Sequence, residues 1–112
     1  MAKGAPRRLA AILAADVAGY SRLVGADEEG TLAALRAHRD GLIDELIGQH
    51  SGRVANTAGD SILMEFPSAV EAVRCAIAIQ QGMEVRNNDV SPEDRIEFRI
   101  GINVGDVIVQ GD

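Results

Sequence analysis

Tryptophan is absent, and one tyrosine and two phenylalanines are the only aromatic side chains among 112 residues. A core must therefore be built from Ala, Val, Ile and Leu. Hydrophobic residues at 46% suffice for one and argue against disorder. Cysteine is nearly absent too. The lone Cys75 has no partner for an internal disulfide, which points to a reducing cytoplasm. Within Ala72-Val-Arg-Cys-Ala-Ile77 it reads as a small buried hydrophobe, not a nucleophile. Cations are in deficit: 11 Lys and Arg against 17 Asp and Glu give a net charge of −6. That argues against nucleic acid and anionic membranes as partners, because both are approached with clustered Lys and Arg. The one basic cluster, Lys3 with Arg7 and Arg8, is too small to count. No stretch approaches the ~20 apolar residues that cross a bilayer, so no membrane insertion is expected. The N-terminus has some likeness to a signal peptide, but Asp16 interrupts the apolar run where a cleavage site should come. Also missing is any Gly-x-x-x-x-Gly-Lys, which removes the P-loop.

What is there is a succession of short elements, enough for one domain or part of one. Residues 1–8 read as a tail and 9–112 as a single domain. Leu9 to Ala15 is apolar without alternation, as in a central strand covered on both faces. Asp27-Glu28-Glu29 suits a helix start. Leu32, Leu35, Leu42, Ile43, Leu46 and Ile47 then carry helical spacing to Ser51-Gly52, where Gly52 suits a left-handed stop. Arg53 to Thr57 and Ile62 to Phe66 read as a hairpin through Ala58-Gly59-Asp60-Ser61. Ser68-Ala-Val-Glu71 is a capping box opening a helix carried by Ala69, Val73, Ala76, Ile77, Gln80 and Met83. Ile96, Phe98, Ile100, Ile102 and Val104 alternate with Glu97, Arg99, Gly101 and Asn103, giving a strand with one apolar and one polar face. Gly105-Asp106 then signals a turn, and Val107 to Val109 a return strand. The predicted class is α+β and ferredoxin-like, βαββαβ plus a return strand.

Two aspartates stand out in this frame. Asp16 ends the first strand and opens the turn Val17-Ala18-Gly19-Tyr20-Ser21, while Asp60 occupies the hairpin tip. A carboxylate at the end of a buried strand is costly unless a cation faces it. With the first and third strands adjacent, the two would meet at one corner, where oxygen ligands suit magnesium and substrate phosphates. The N–H groups of the Val17–Ser21 turn would face anions there. A turn aspartate alone is usually a cap or a solvated group; the pair in these two settings gives the metal reading its weight. Rivals fail on order and spacing. Gly59-Asp60-Ser61-Ile62 mimics a serine-esterase signature, yet His38 and His50 both precede the serine. Neither histidine has a metal-ligand spacing; both read as helix-surface or helix-end residues.

Four segments follow in order: Ala15-Asp16-Val-Ala-Gly19-Tyr20-Ser21, Gly52-Arg-Val-Ala-Asn-Thr-Ala-Gly59-Asp60, Pro67-Ser-Ala-Val-Glu-Ala-Val-Arg-Cys-Ala76 and Phe98-Arg-Ile-Gly101-Ile-Asn-Val-Gly105. As an ordered set they resemble the class III adenylate/guanylate cyclase catalytic domain, especially its soluble bacterial branch, over about residues 7 to 112. The Gly-Gly-Asp/Glu-Glu-Phe signature of diguanylate cyclases is missing from the hairpin. The resemblance implies conversion of ATP to 3′,5′-cyclic AMP and pyrophosphate in intracellular signalling, with two Mg2+ or Mn2+ ions. It implies that Asp16 and Asp60 bind both metals, assisted by the Val17 carbonyl. One ion would help activate the ribose 3′-hydroxyl and the other would clamp the triphosphate. N–H groups around Ala18, Gly19 and Tyr20 would hold phosphate oxygens, with Ser21 and Gly59 in the same substrate-binding turns. Gly19 would permit close backbone approach.

Asn56 stands where adenylate cyclases usually carry a purine-reading lysine. Its amide can address either purine edge, with adenine the favoured base. The family continues into a second base-reading Asp, then an Asn and an Arg that stabilise the transition state across a head-to-tail dimer. This chain stops at Asp112, before such a segment. The expectation is a C-terminally incomplete domain that is inactive alone and homodimeric when complete. The alternative is a non-catalytic, truncated cyclase-like module acting by dimerisation or hetero-pairing.

Overall fold

The computed structural model describes residues 7–108; residues 1–6 of the expected tail and Val109 of the expected return strand lie outside them. Strand β1 (Arg7–Val17) leads to α1 (Tyr20–Ala26), α2 (Glu28–His38), a π-helical turn (Arg39–Ile43) and α3 (Asp44–Gln49). The hairpin β2 (Arg53–Ala58) and β3 (Ser61–Phe66) follows, then α4 (Ala69–Asn87), a short 3-10 turn (Pro92–Asp94) and β4 (Phe98–Ile108). The sheet runs β2-β3-β1-β4 with every neighbour antiparallel. This is the expected ferredoxin-like α+β frame. It places the end of β1 between the hairpin tip on one side and the start of β4 on the other.

Local signals account for the helix starts. The Asp27 carboxylate accepts the Gly30 N–H at 2.9 Å, and Ser68 Oγ accepts the Glu71 N–H at 3.2 Å. The expected single helix from Asp27 to Ser51 is interrupted by the π-helical turn. There Arg86 of α4 donates from Nε to His38 Nδ1 at 2.9 Å and from Nη2 to the Ala37 carbonyl at 3.3 Å. Both histidines are thus helix-end residues, His50 meeting the Leu46 carbonyl at 2.8 Å. The helix stop differs from expectation. Ser51, not Gly52, takes the left-handed conformation (φ 64°), and the Gly52 N–H closes back on the Ile47 carbonyl at 2.8 Å. Gly52 is required for space instead: a Cβ there would run into the Phe66 ring.

The core lies between one face of the sheet and the helices. Leu13, Met64 and Phe66 meet Ile43, Ile47, Ala72, Cys75, Ile79 and Met83, all buried. Burial pushes the Cys75 thiol up to about 11, as suits an inert core residue. The buried stripe of α4 is rotated from the expected one, leaving Val73 and Ile77 exposed. The smaller Ala72 and Cys75 are buried in their place.

Two strand expectations are corrected. From Leu13 to Val17, β1 is covered on one face only: Leu13, Ala15 and Val17 are buried, while Ala14 and its cross-strand partner Leu63 are exposed on the other; nearer its start, Ala10 and Ala11 are both buried. The unbroken apolar run reflects small alanines on an open face, not a second helical layer. Gly105-Asp106 is not a turn. β4 continues through it because Ala10 and Leu9 of β1 pair with those two residues, and the ladder extends to Arg7↔Ile108. The first strand accordingly begins at Arg7, two residues before Leu9. Among the described residues, no helix is long and apolar enough to cross a membrane.

Candidate active site

The site assembles at the C-terminal end of β1. Side chains alternate along a strand, so Asp16 projects onto the open face while Val17 enters the core. Arg99 is its direct cross-strand partner on β4. The guanidinium grips the carboxylate with both arms, Nε to Oδ1 at 2.8 Å and Nη2 to Oδ2 at 3.0 Å. These hydrogen bonds hold the Asp16 carboxyl below the usual carboxylate range and raise Arg99 in turn. The side chains are 37% and 69% exposed, so solvent screens the pair.

Asp60 arrives from the opposite flank. Gly59 takes a left-handed φ of 59° at the first of two turn residues, a position that glycine fills in tight hairpins. The turn delivers Asp60 Oδ2 to the Val17 N–H, 2.9 Å away. Bond lengths limit the Asp16 carboxyl carbon to about 5 Å from that nitrogen, so the two carboxyl groups lie within about 8 Å. Sequence logic and geometry agree here: residues 44 positions apart in the chain flank a single peptide group. Arg99 feels both charges, since Asp60 also raises its pKa.

The following turn leaves some of the expected N–H groups free and not others. Gly19 adopts the left-handed conformation (φ 67°) that begins α1. The N–H groups of Gly19, Tyr20 and Ser21 have no acceptor among the described residues, as at any first helical turn. Ala18 departs from expectation. Its N–H donates to the Glu97 carbonyl at 2.8 Å, so it is already spent on closing the sheet beside β4. Val17 N–H is likewise taken, by Asp60.

Asn56 joins the site by an irregularity that the sequence did not announce. Val54 pairs with Met64 on the core face, yet Asn56, two residues on, pairs with Leu63 on the open face. The bulge between them turns Asn56 over. It lines a groove of ≈ 440 Å³ with Ala14, Asp16, Ser61, Leu63 and Arg99. The Asn56 Oδ1 accepts the Thr57 N–H at 2.9 Å, which leaves its amide NH2 free to donate.

Hard oxygen donors are what Mg2+ or Mn2+ requires. The guanidinium seated on Asp16 shows that this carboxylate accepts a cation. Among the described residues no group of three or more His, Cys, Asp or Glu could hold a metal. Asp16 and Asp60 would therefore need further oxygens, from backbone carbonyls, water or a bound ligand, to complete a coordination shell. Arg99 was missed as a member of the site; the strict alternation that placed it on the polar face, level with the end of β1, was its signal.

No protein-family model matches the chain. It is 52% identical over 105 residues to "Putative adenylate cyclase 3" of Rhizobium meliloti (strain 1021), covering 93% of this chain. It spans 18% of that protein's length. Among solved structures, an adenylate/guanylate cyclase/hydrolase from Silicibacter pomeroyi superposes with a TM-score of 0.86 at 46% identity, covering 96% of this chain and 63% of the other. The guanylyl cyclase Cya2 superposes at 0.79 with 27% identity, covering 96% of this chain and 59% of its own.

Proposed function

Because the chain is a homologue of the class III adenylate/guanylate cyclase catalytic domains, we propose that it supplies the metal-binding half of a cyclase site. The reaction is conversion of ATP to 3′,5′-cyclic AMP and pyrophosphate in the cytoplasm. The observation that carries this reading is the Asp60–Val17 hydrogen bond, which ties the second carboxylate to the peptide group that follows Asp16.

In this reading Asp16 and Asp60 hold two Mg2+ or Mn2+ ions, helped by the Val17 carbonyl. The ions, when bound, supply charge neutralisation for the polyphosphate and acidify the ribose 3′-hydroxyl. The chain's own groups do the positioning. First-turn N–H groups of Gly19, Tyr20 and Ser21 receive phosphate oxygens, and Arg99 adds positive charge at the same edge. Asn56 projects from the groove wall and reads the purine. The open sheet face, with exposed Leu63 and Ala14, is covered by a second copy in a homodimer, which completes the transition-state half of the site.

The full-length protein tests the substrate. Purified with Mn2+, it should form cyclic AMP from ATP at a higher kcat/KM than cyclic GMP from GTP, as resolved by mass spectrometry of the products. Equal or inverted preference would remove the adenylate assignment, and no cyclic product from either nucleotide would remove the cyclase one.

A further inference from the structure

Arg99 has an importance beyond adding charge to the groove. We infer that it is the resident counter-ion of the metal site, holding Asp16 until a divalent ion displaces it and thereby setting the site's metal affinity. This rests on the metal-binding reading of Asp16 and Asp60. Three observations carry it.

First, both oxygens are engaged. Each Asp16 oxygen accepts from the same guanidinium, at 2.8 and 3.0 Å, so a metal ion approaching the carboxylate from that side must displace Arg99. The competition is also electrostatic, since a dication at Asp16 repels a guanidinium in contact with it. Second, the pair is built by the fold. Asp16 and Arg99 are direct register partners on β1 and β4, and Asp60 on the other flank adds a second attraction for the same guanidinium. Arginine therefore returns to this place whenever it is vacant.

Third, leaving is easy. The Arg99 side chain is 69% exposed, so it gives up little by rotating into water. Its neighbour Gly101 lines the same groove and has nothing within 4 Å of where a Cβ would sit. The long side chain has room to swing along the sheet without moving the backbone. A buried, fixed arginine would block the site; an exposed one only raises the concentration of metal needed to fill it.

Manganese binding to the 112-residue chain, without nucleotide, tests this through the electron paramagnetic resonance signal of free Mn2+. Arg99→Gln should bind Mn2+ about tenfold more tightly than the parent chain, the size expected for removing one positive charge a few ångströms from a dication in water. Arg99→Lys keeps the charge but loses the two-armed grip, and should fall between them. In an Asp16→Asn background the Arg99→Gln gain should shrink, because there is no carboxylate left to release and only the charge repulsion remains. Thermal melting of each variant separates a change in affinity from loss of the fold. Unchanged or weaker binding by Arg99→Gln, with Mn2+ still dependent on Asp16, would overturn the counter-ion role alone and make Arg99 a scaffold for the carboxylate. Failure of every variant to bind Mn2+ would overturn it together with the metal reading.

Discussion

Alanine at Asp16 or at Asp60 should lower cyclic-nucleotide formation by the full-length protein about a thousandfold or more, since each removes preorganised charge stabilisation from the reacting centre. The two substitutions differ in what else they disturb. Asp60→Ala also strips the acceptor from the Val17 N–H, so the tip of the hairpin loses its tie to β1. Asp60→Asn is the cleaner variant, because an amide oxygen can still accept that hydrogen bond while the charge is gone. Asp16→Asn weakens the grip of Arg99 without touching the core, as both groups lie on the open face. Both asparagine variants should melt close to the parent and be as inactive as the alanines. Single-turnover rates with Mn-ATP, measured beside melting temperatures, separate the chemical loss from a structural one. An active Asp60→Asn enzyme would show that the hairpin carboxylate serves only as a strut.

The second large effect is on stability, at the contact between Gly52 and Phe66. Phe66 is 1% exposed and is among the largest fully buried side chains of the core. Its truncation to alanine should cost about 3–5 kcal/mol, the range for an aromatic removed from a packed interior. For a domain of this size that is a large part of the total. Gly52→Ala should destabilise as well, because the added methyl group meets the Phe66 ring. The informative quantity is the double variant. With the ring gone, the methyl group added at position 52 enters space that Phe66 vacated, so the double variant should be more stable than the sum of the two single losses predicts. Urea unfolding of the four proteins gives that coupling energy. Strict additivity would mean that the ring and the glycine do not share the contact described.

Most of the frame was readable because it is written in local terms. The last strand, the acidic helix start at Asp27, the Ser68 cap and the Gly59 turn each follow from short-range sterics and hydrogen bonding, and each reappears in the structure, although the strand begins at Phe98 and its expected apolar face is exposed at Ile102 and Val104. What was misread depends on partners far away in the chain. Whether Leu9–Ala15 has one buried face or two is decided by what packs on it, which periodicity does not encode when half the residues are alanine. Gly105-Asp106 carries a turn signal, yet pairing with Leu9 and Ala10 keeps it extended. Tertiary pairing outweighs a two-residue preference. Gly52 was assigned a left-handed role when its need is for space against a ring 14 residues on.

The candidate site divides in the same way. The aspartates were visible because their chemistry is conspicuous wherever the chain puts them. Ala18 was over-assigned, since only the fold reveals that Glu97 takes its N–H. Asn56 reached the open face through a bulge that has no signature in its own neighbourhood; alternation put Arg99 on the polar face, and register with β1 brought it to Asp16.

Diffraction from crystals soaked in Mn2+ and a non-hydrolysable ATP analogue, recorded near the manganese absorption edge, is the most direct test of the paired-carboxylate site. Anomalous peaks should appear between the Asp16 and Asp60 carboxylates, with Arg99 turned away from Asp16. Nucleotide bound with no anomalous peak there, or manganese held elsewhere while Asp16 keeps its arginine, would contradict it.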